Sequence, residues 1–579
     1  MTVCVLEAGS DSNAGEDLPE DYQVPAFHPF ASENKAMAWN FYIDHYADPD
    51  RQQRDWKHRE GGILYPRAGT LGGCTAHNAL IFVRPHDSDW DAIATLTGDR
   101  SWRASEMNRY FERIESCRHR PLWRWIAAKT GYNPTGHGWN GWLPTELALP
   151  KEAFGDDEMR AAVDDSARAI LRGEGGWLEG LLSTAFWALD PNNYLMVGRR
   201  LAGMFATPLT TDRGVRIGTR ERLLEVARRH PDRLHIMCDT LATRVVMDAD
   251  HRATGVEYLK GRALYRASGS PGREPGTPGV VHAAREVILA GGAFNTPQLL
   301  MLSGIGPVEE LAEHGITARV DLPGVGRNLQ DRYEVSVVNR MTRPWPSLKA
   351  ARFRKDDPLY REWQRTGGGM YRSNGAALAF TRRSTGRGLD LDPDLFGMAL
   401  LTKFRGYYPG YSDEIRASRD HLSWVILKAH TVNHAGTVGL RSADPTDPPL
   451  INFRYFEDGD DDMRAVAEGV QFARQITSRL REAGWIGDEE YPGRHVDGDA
   501  LTDFVRDTAW GHHASCSAAI GPRDAKGVLT SGLTVHGTIG LRVVDASAFP
   551  RIPGFFIACP IMMLAERAAD MILQTAKAD

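Results

Sequence analysis

The sequence lacks any apolar run of about 18 residues, so a membrane-spanning helix is not expected. Cysteine is scarce: 6 in 579 residues, at 4, 74, 117, 238, 516 and 559, with no C-x-x-C pair. That excludes a disulfide framework, offers no familiar zinc spacing, and points to a reducing compartment, taken here as the cytoplasm. A basic excess is also missing. Lys and Arg number 69 against 75 Asp and Glu, a net charge of −6, which argues against a nucleic-acid-binding surface. Only six residues precede Glu7, too few for the charged and apolar regions of a secretory signal. Repeats and low-complexity tracts are absent. Glycine, by contrast, is plentiful at 58 residues, which implies many tight turns or close approaches of backbone to a ligand. With 42 % apolar and 25 % charged residues the composition is globular and supplies a sizeable core.

Short helical and strand-like stretches alternate along the chain, so the class is α/β mixed with α+β. Val3–Leu6 reads as a buried parallel strand ending at Glu7, and an acid there suits a ribose hydroxyl of a dinucleotide. The glycine fingerprint G-x-G-x-x-G expected ~20 residues ahead of such an acid is not present. Residues 90–126 carry a helical pattern with Met107, Tyr110, Phe111 and Ile114 on one face. Helices are also expected at 157–172, 220–229, 463–479 and 562–573, and strands at 234–237, 243–247, 286–290 and 541–544. The acidic run 457–462 is expected to favour the start of the helix at Met463. Asp390, Asp392 and Asp394 resemble the start of a calcium loop, but Pro393 intervenes and no glycine follows at the required place, so no metal is assigned there. Tyr407, Tyr408 and Tyr411 are candidates for a substrate channel.

Three blocks carry chemistry. The first, RAGTLGGCTAHNA at 67–79, sets Gly72, Gly73 and Cys74 beside the polar pair His77–Asn78 and Ala79, a low surface on which a ligand lies close to backbone. The second, AGGAFNTPQLLMLSGIG at 290–306, runs from a strand into Gly291 and Gly292 and then into a helix, with Thr296 and Pro297 expected at its start. A strand–glycine–helix junction is a natural place for a phosphate or a cofactor edge. The third joins WGHHASCSAAIG at 510–521 to GLRVVDASAFP at 540–550, a strand ending in Asp545 and Ala546. Neighbours in an extended segment face opposite sides, so His512 and His513 are not expected to chelate a metal together.

These blocks in this order, with LPGVGRNLQD at 322–331 and AERAAD at 565–570, resemble the glucose–methanol–choline (GMC) family of flavin oxidoreductases. The resemblance implies a Rossmann-like FAD domain interleaved with a substrate domain built on an antiparallel sheet with helices. The FAD domain is expected at 1–109, 206–332 and 506–579. Substrate-domain and lid insertions are expected at 110–205, and the substrate domain itself at 333–505. It implies FAD, with Glu7 on the adenosine ribose, Val245 at the adenine, Asp545 and Ala546 beside the diphosphate and ribityl chain, and Asn78 and Ala79 near the flavin ring. His513 aligns with the family's proton acceptor, and His512 is expected to point away. The substrate is then a small-molecule alcohol and the final acceptor oxygen or an electron carrier. Some members attach the flavin to a histidine at the position of His77; in others that histidine packs against the flavin without a bond.

Two departures accompany the resemblance. The family's second polar partner, ~45 residues beyond the catalytic histidine, is replaced by Ala558, which offers no donor or acceptor. That leaves open a flavoenzyme of lyase or decarboxylase type. The missing diphosphate loop lowers the expected FAD affinity and leaves open a flavin-free binding module.

Overall fold

The computed structural model describes residues 1–12, 19–147, 190–388 and 390–578. The helix expected at 157–172 lies outside these. A six-stranded antiparallel sheet organises one core, in the order Ile486–Tyr491, Tyr333–Met341, His421–Lys428, Leu395–Leu400, Ala376–Arg382, Gly203–Phe205. Successive side chains of a strand face opposite ways, and both faces of this sheet are covered. Tyr333, Val335, Val337, Trp424 and Ile426 share a core with Met463, Val466, Val470, Ala473, Ile476 and Leu480 of the helix Asp461–Glu482. Gly469 permits that approach, since a Cβ there would stand 2.4 Å from Ile426 Cγ2. The alternate residues Glu334, Phe396, Met398, Leu400, Val425 and Leu427 face a large cavity. The pleat therefore puts one buried carboxylate on the cavity side of an otherwise apolar wall.

The second core gathers helices Ala104–Ile114, Gly292–Leu302 and Ala558–Ala578 around a short parallel strand pair, Val287–Leu289 with Leu541–Val543. Another parallel pair, Val3–Leu6 with Leu234–Met237, stands outside that core. The fold is mixed α/β with mostly antiparallel sheets. Val3–Leu6 is parallel as expected but not buried: residues 1–6 border the cavity, and Val3 is 49 % exposed.

The pattern over 90–126 is not one helix. Gly98, in the left-handed conformation at φ 70°, ends the helix Asp87–Thr97. A second helix, Ala104–Ile114, buries Met107, Tyr110, Phe111 and Ile114 and gives way to a strand, Glu115–Cys117. Thr296 and Pro297 lie inside the helix Gly292–Leu302 rather than at its start. Proline there removes a bond to the Ala293 carbonyl, and that carbonyl accepts instead from Ser517 Oγ at 2.5 Å. At Asp461–Glu482 the acids Asp461 and Asp462 occupy the first turn, but no side chain caps it. Asp462 accepts from the Val432 amide and pairs with Lys428 at 3.3 Å. Asp392 and Asp394 are likewise held by protein, by Arg200 and by Ser384 and Lys428.

Candidate active site

One cavity of about 1950 Å³ runs between the two cores. It exceeds the ~300–1,000 Å³ of a drug-sized pocket. Glu7 borders it at a strand end, its Oε1 accepting from the Gly9 amide at 2.8 Å. Burial pushes the Glu7 carboxyl up to about 7, against the pull of that amide. Gly72, at φ 97°, turns the chain into a short 3-10 helix, Gly73–Ala76. A Cβ on Gly73 or on Gly292 would meet nothing within 4 Å, so both backbones stand open to a ligand. Fully buried Arg216 fixes the next residues, donating to the Thr75 carbonyl at 3.0 Å and to Asn78 Oδ1 at 2.9 Å. His77 presents an imidazole to the cavity with its Nδ1 unpartnered. Burial, with Arg67 and Arg216 nearby, pushes it down to about 3, so it is neutral.

At the far end the segment 511–514 is irregular and is held by side chains from distant parts of the sequence. Asp331 Oδ1 accepts from the amides of His513 at 2.8 Å and Arg332 at 2.7 Å. Its Oδ2 accepts from Tyr65 Oη at 2.5 Å, and Tyr65 Oη in turn accepts from the Ala514 amide at 2.8 Å. Arg67 donates to the His512 carbonyl at 2.5 Å. The two imidazoles lie 3.9 Å apart, with Glu334 Oε1 3.2 Å from His512 Nδ1 and 3.6 Å from His513 Nδ1. These are contacts without hydrogen-bond alignment, since all three atoms are left unpartnered. Burial first, then neighbouring cations, holds both histidines well below the usual imidazole range. Burial likewise pushes the Glu334 carboxyl well up. The rings of Trp510, Tyr407, Phe404 and Phe556 enclose the two imidazoles.

The cavity brings together His513, Glu7, Gly72, Gly73, Cys74, His77, Asn78, Ala79, Gly291, Asp545 and Ala546. Val245 is not among its walls. It is buried in the second core with its amide on Ser303 Oγ, and Thr240, Leu241 and Ala242 of the same strand border the cavity instead. Asp545 borders the cavity, but the chain already engages its carboxylate. Oδ2 accepts from the Gly292 amide and Thr296 Oγ1, and Oδ1 from the amide and hydroxyl of Ser547. Asp545 therefore holds the Gly291–Gly292 turn in shape. His512 does not point away: it stacks on Trp510 and faces the cavity beside His513, because 511–514 is not a regular strand. Tyr407 and Tyr411 border the cavity, whereas Tyr408 turns to Trp56 and Glu414. Glu334, Tyr65 and Arg216 shape the cavity and carry no local signal in the sequence, whereas Asp331 closes the LPGVGRNLQD segment, which does not show what the carboxylate bonds.

Family models described as GMC oxidoreductase match residues 56–334 and 432–565. The chain belongs to the GMC oxidoreductase family. It is an FAD-dependent alcohol oxidoreductase. A relative from Staphylococcus aureus (strain MSSA476), named oxygen-dependent choline dehydrogenase, is 30 % identical over 98 % of this chain and 88 % of its own length. Among solved structures, a formate oxidase superposes with a TM-score of 0.79 at 23 % identity, over 100 % of this chain and 94 % of that one. Pyridoxine 4-oxidase from Mesorbium loti gives 0.73 at 21 %, over 98 % and 94 %. At those identities the likeness is one of fold. The GMC cofactor fits what this chain offers: a dinucleotide-sized cavity, a carboxylate at a strand end, two glycines open to it, and a neutral histidine with an orphaned nitrogen. Among the described residues no helix is long and apolar enough to cross a membrane.

Proposed function

We propose that this GMC oxidoreductase oxidises a small primary alcohol, with His513 as the group that takes the hydroxyl proton. The observation that carries the reading is the His513 ring, neutral and held in the cavity wall by the Asp331 clamp. A neutral imidazole accepts a proton, and one positioned by its own backbone does so without reorganisation. Glu7, Gly72, Gly73, Cys74, His77, Asn78, Ala79, Gly291 and Ala546 would hold FAD, with Asp545 shaping the turn at Gly291–Gly292. FAD, when bound, supplies the two-electron acceptor. The aromatic and aliphatic wall excludes water and suits a methyl-rich or aryl substituent. Choline is the first alcohol to test, because Trp510 and Tyr407 put aromatic rings on the cavity wall, a setting that suits a quaternary ammonium, and the relatives are named for choline. Oxygen is the proposed final acceptor, read as alcohol-dependent oxygen uptake.

Glu334 is a positioning residue in this account. Burial favours its protonated form, so it faces Nδ1 of both histidines as a neutral carboxyl group and leaves Nε2 of His513 for the substrate. Glu334→Gln keeps the shape and the neutral charge, so flavin reduction should stay within ~10-fold of wild type, whereas Glu334→Ala, which leaves both rings without that support, should slow it by ~10-fold or more. The acid limb of the Glu334→Gln pH profile should match that of wild type. A limb that moves to lower pH would show instead that Glu334 acts as an anion beside His513.

A second reading, of lyase or decarboxylase type, rests on Ala558, which borders the cavity where the family places a polar partner. Product formed without flavin bleaching under anaerobic conditions would favour it. Acid precipitation of the flavoprotein separates the two readings of His77. Flavin retained in the pellet, and lost from His77→Ala, carries a covalent bond; flavin in the supernatant does not.

A further inference from the structure

We propose that Cys117, His119, His137 and Asp190 form a tetrahedral transition-metal site of the zinc type, separate from the active-site cavity. None of the four borders that cavity. The strand Glu115–Cys117 pairs in parallel with Leu143–Leu147, placing Cys117 opposite Thr145. The Cys117 amide donates to the Gly138 carbonyl at 2.8 Å and the Arg118 amide to the Thr145 carbonyl at 2.9 Å. These bonds bring His137 beside Cys117. Asp190 completes the cluster: its Oδ2 lies 2.9 Å from His119 Nε2 and 3.0 Å from His137 Nε2. Cys117 Sγ is 3.7 Å from His119 Nε2. Zinc bonds of ~2.0–2.3 Å at tetrahedral angles put ligand atoms roughly 3.3–3.6 Å apart; one atom each of Cys117, His119 and His137 lies within 4.8 Å of the others, and Asp190, which already reaches both imidazoles, turns toward the ion as the site closes. All four are buried or nearly so.

The outer contacts give each imidazole the tautomer a metal needs. His137 Nδ1 is 2.8 Å from Glu115 Oε2, and Glu115 is itself held by the Gly138 amide at 3.0 Å and Thr145 Oγ1 at 2.8 Å. His119 Nδ1 faces the Thr145 carbonyl at 3.4 Å. A carboxylate and a carbonyl accept, so both Nδ1 atoms carry protons and both Nε2 lone pairs turn inward. A carboxylate behind a ligating histidine is the usual support of a zinc ligand.

Without a metal the same geometry is costly. Both Nε2 atoms would need a proton to bond Asp190, making two imidazoliums. Arg120 Nε adds a third donor to the same oxygen at 3.0 Å. Both rings are buried, which opposes such charging. A dication resolves the crowding. It displaces the two Nε2 protons and the Cys117 thiol proton to solvent, and its charge with Cys117, Asp190, Glu115 and Arg120 sums to zero. A thiolate, two imidazoles and a carboxylate in a tetrahedron select zinc. The metal would staple the strand Glu115–Cys117 to the His137 loop and to Asp190, remote from the chemistry.

The test is metal analysis of the purified flavoprotein, followed by Co²⁺ titration of chelator-treated wild type. About one zinc per chain is expected, with less than a tenth of that in Cys117→Ser and His119→Ala. Co²⁺ should give tetrahedral d–d bands and a thiolate-to-cobalt charge-transfer band, the latter missing from Cys117→Ser. Wild type that carries no first-row metal, and develops no such spectrum with Co²⁺, overturns the site whether or not the variants fold. So does zinc retained undiminished by folded Cys117→Ser and His119→Ala.

Discussion

His513→Ala should lower alcohol-dependent flavin reduction by ~10²–10⁴-fold, the usual worth of a positioned general base, and leave the flavin content of the purified protein unchanged. Two features of the site make the loss this large. The ring is neutral, since burial and the neighbouring cations hold it well below the usual imidazole range. It also has no substitute, because Ala558 presents no polar atom, and His512, although alongside, has its carbonyl tied to Arg67 and its ring stacked on Trp510. The wild-type pH profile follows from the sign of the shift. The base works while unprotonated and is lost as pH falls through its pKa, so a depressed pKa puts the acid limb below the range of an ordinary histidine. Stopped-flow reduction across pH measures both effects. A rate within a few-fold of wild type in His513→Ala removes it as the proton acceptor, and imidazole added to the variant should restore part of the rate.

Asp331→Ala should cost about 3–6 kcal/mol of stability, enough to leave much of the protein unfolded at 37 °C. The carboxylate takes hydrogen bonds from the His513 amide, the Arg332 amide and Tyr65 Oη, all buried. Removing it leaves three donors without an acceptor at ~1–3 kcal/mol each, of which relaxation recovers some. Asp331→Asn is the milder change. Its carbonyl keeps the two amides, but its NH₂ meets Tyr65 Oη, which already accepts from the Ala514 amide and loses its own acceptor. Thermal unfolding should therefore rank wild type above Asp331→Asn, with Asp331→Ala lowest. Asp331→Asn should also lower the rate of the chemical step, by releasing the loop that aims His513. The carboxyl contributes to pH dependence as well. Burial pushes it up to about 6 despite the bonds that favour its charge. A folded-state pKa above the unfolded value gives a contribution fully present below about 4, lost as pH rises through about 6.

The glycine blocks were legible because their requirement is local. Gly72, Gly73 and Gly291 border the cavity, the first two at positive φ, and small residues around them are visible in one window of sequence. His513 stands out in the sequence only through its place in the family's pattern, and the structure puts it on the cavity wall. The clamp was not legible, because Tyr65 and Asp331 are separated by 266 positions and meet only through the fold. Glu334 reads as one of four polar residues in its strand, with Ser336, Asn339 and Arg340, and only the pleat shows that it turns to the cavity rather than to the helix Asp461–Glu482. His512 was misplaced because alternation holds for regular strands, and the chain at 511–514 is bent by bonds to Arg67, Asp331 and Tyr65. Val245 shares its strand with Thr240, Leu241 and Ala242, which border the cavity, while its own side chain lies in the second core. Thr296 and Pro297 look like a helix start, yet Ser517 takes over the carbonyl that proline leaves free, so the helix begins four residues earlier.

The most direct measurement is anaerobic mixing of the flavoprotein with choline and a panel of small primary alcohols, following the visible flavin spectrum and the aldehyde formed. The account predicts bleaching by at least one alcohol, one aldehyde per flavin, and loss of that bleaching in His513→Ala. Aldehyde or any other product without bleaching, or bleaching that survives His513→Ala at full rate, would contradict it.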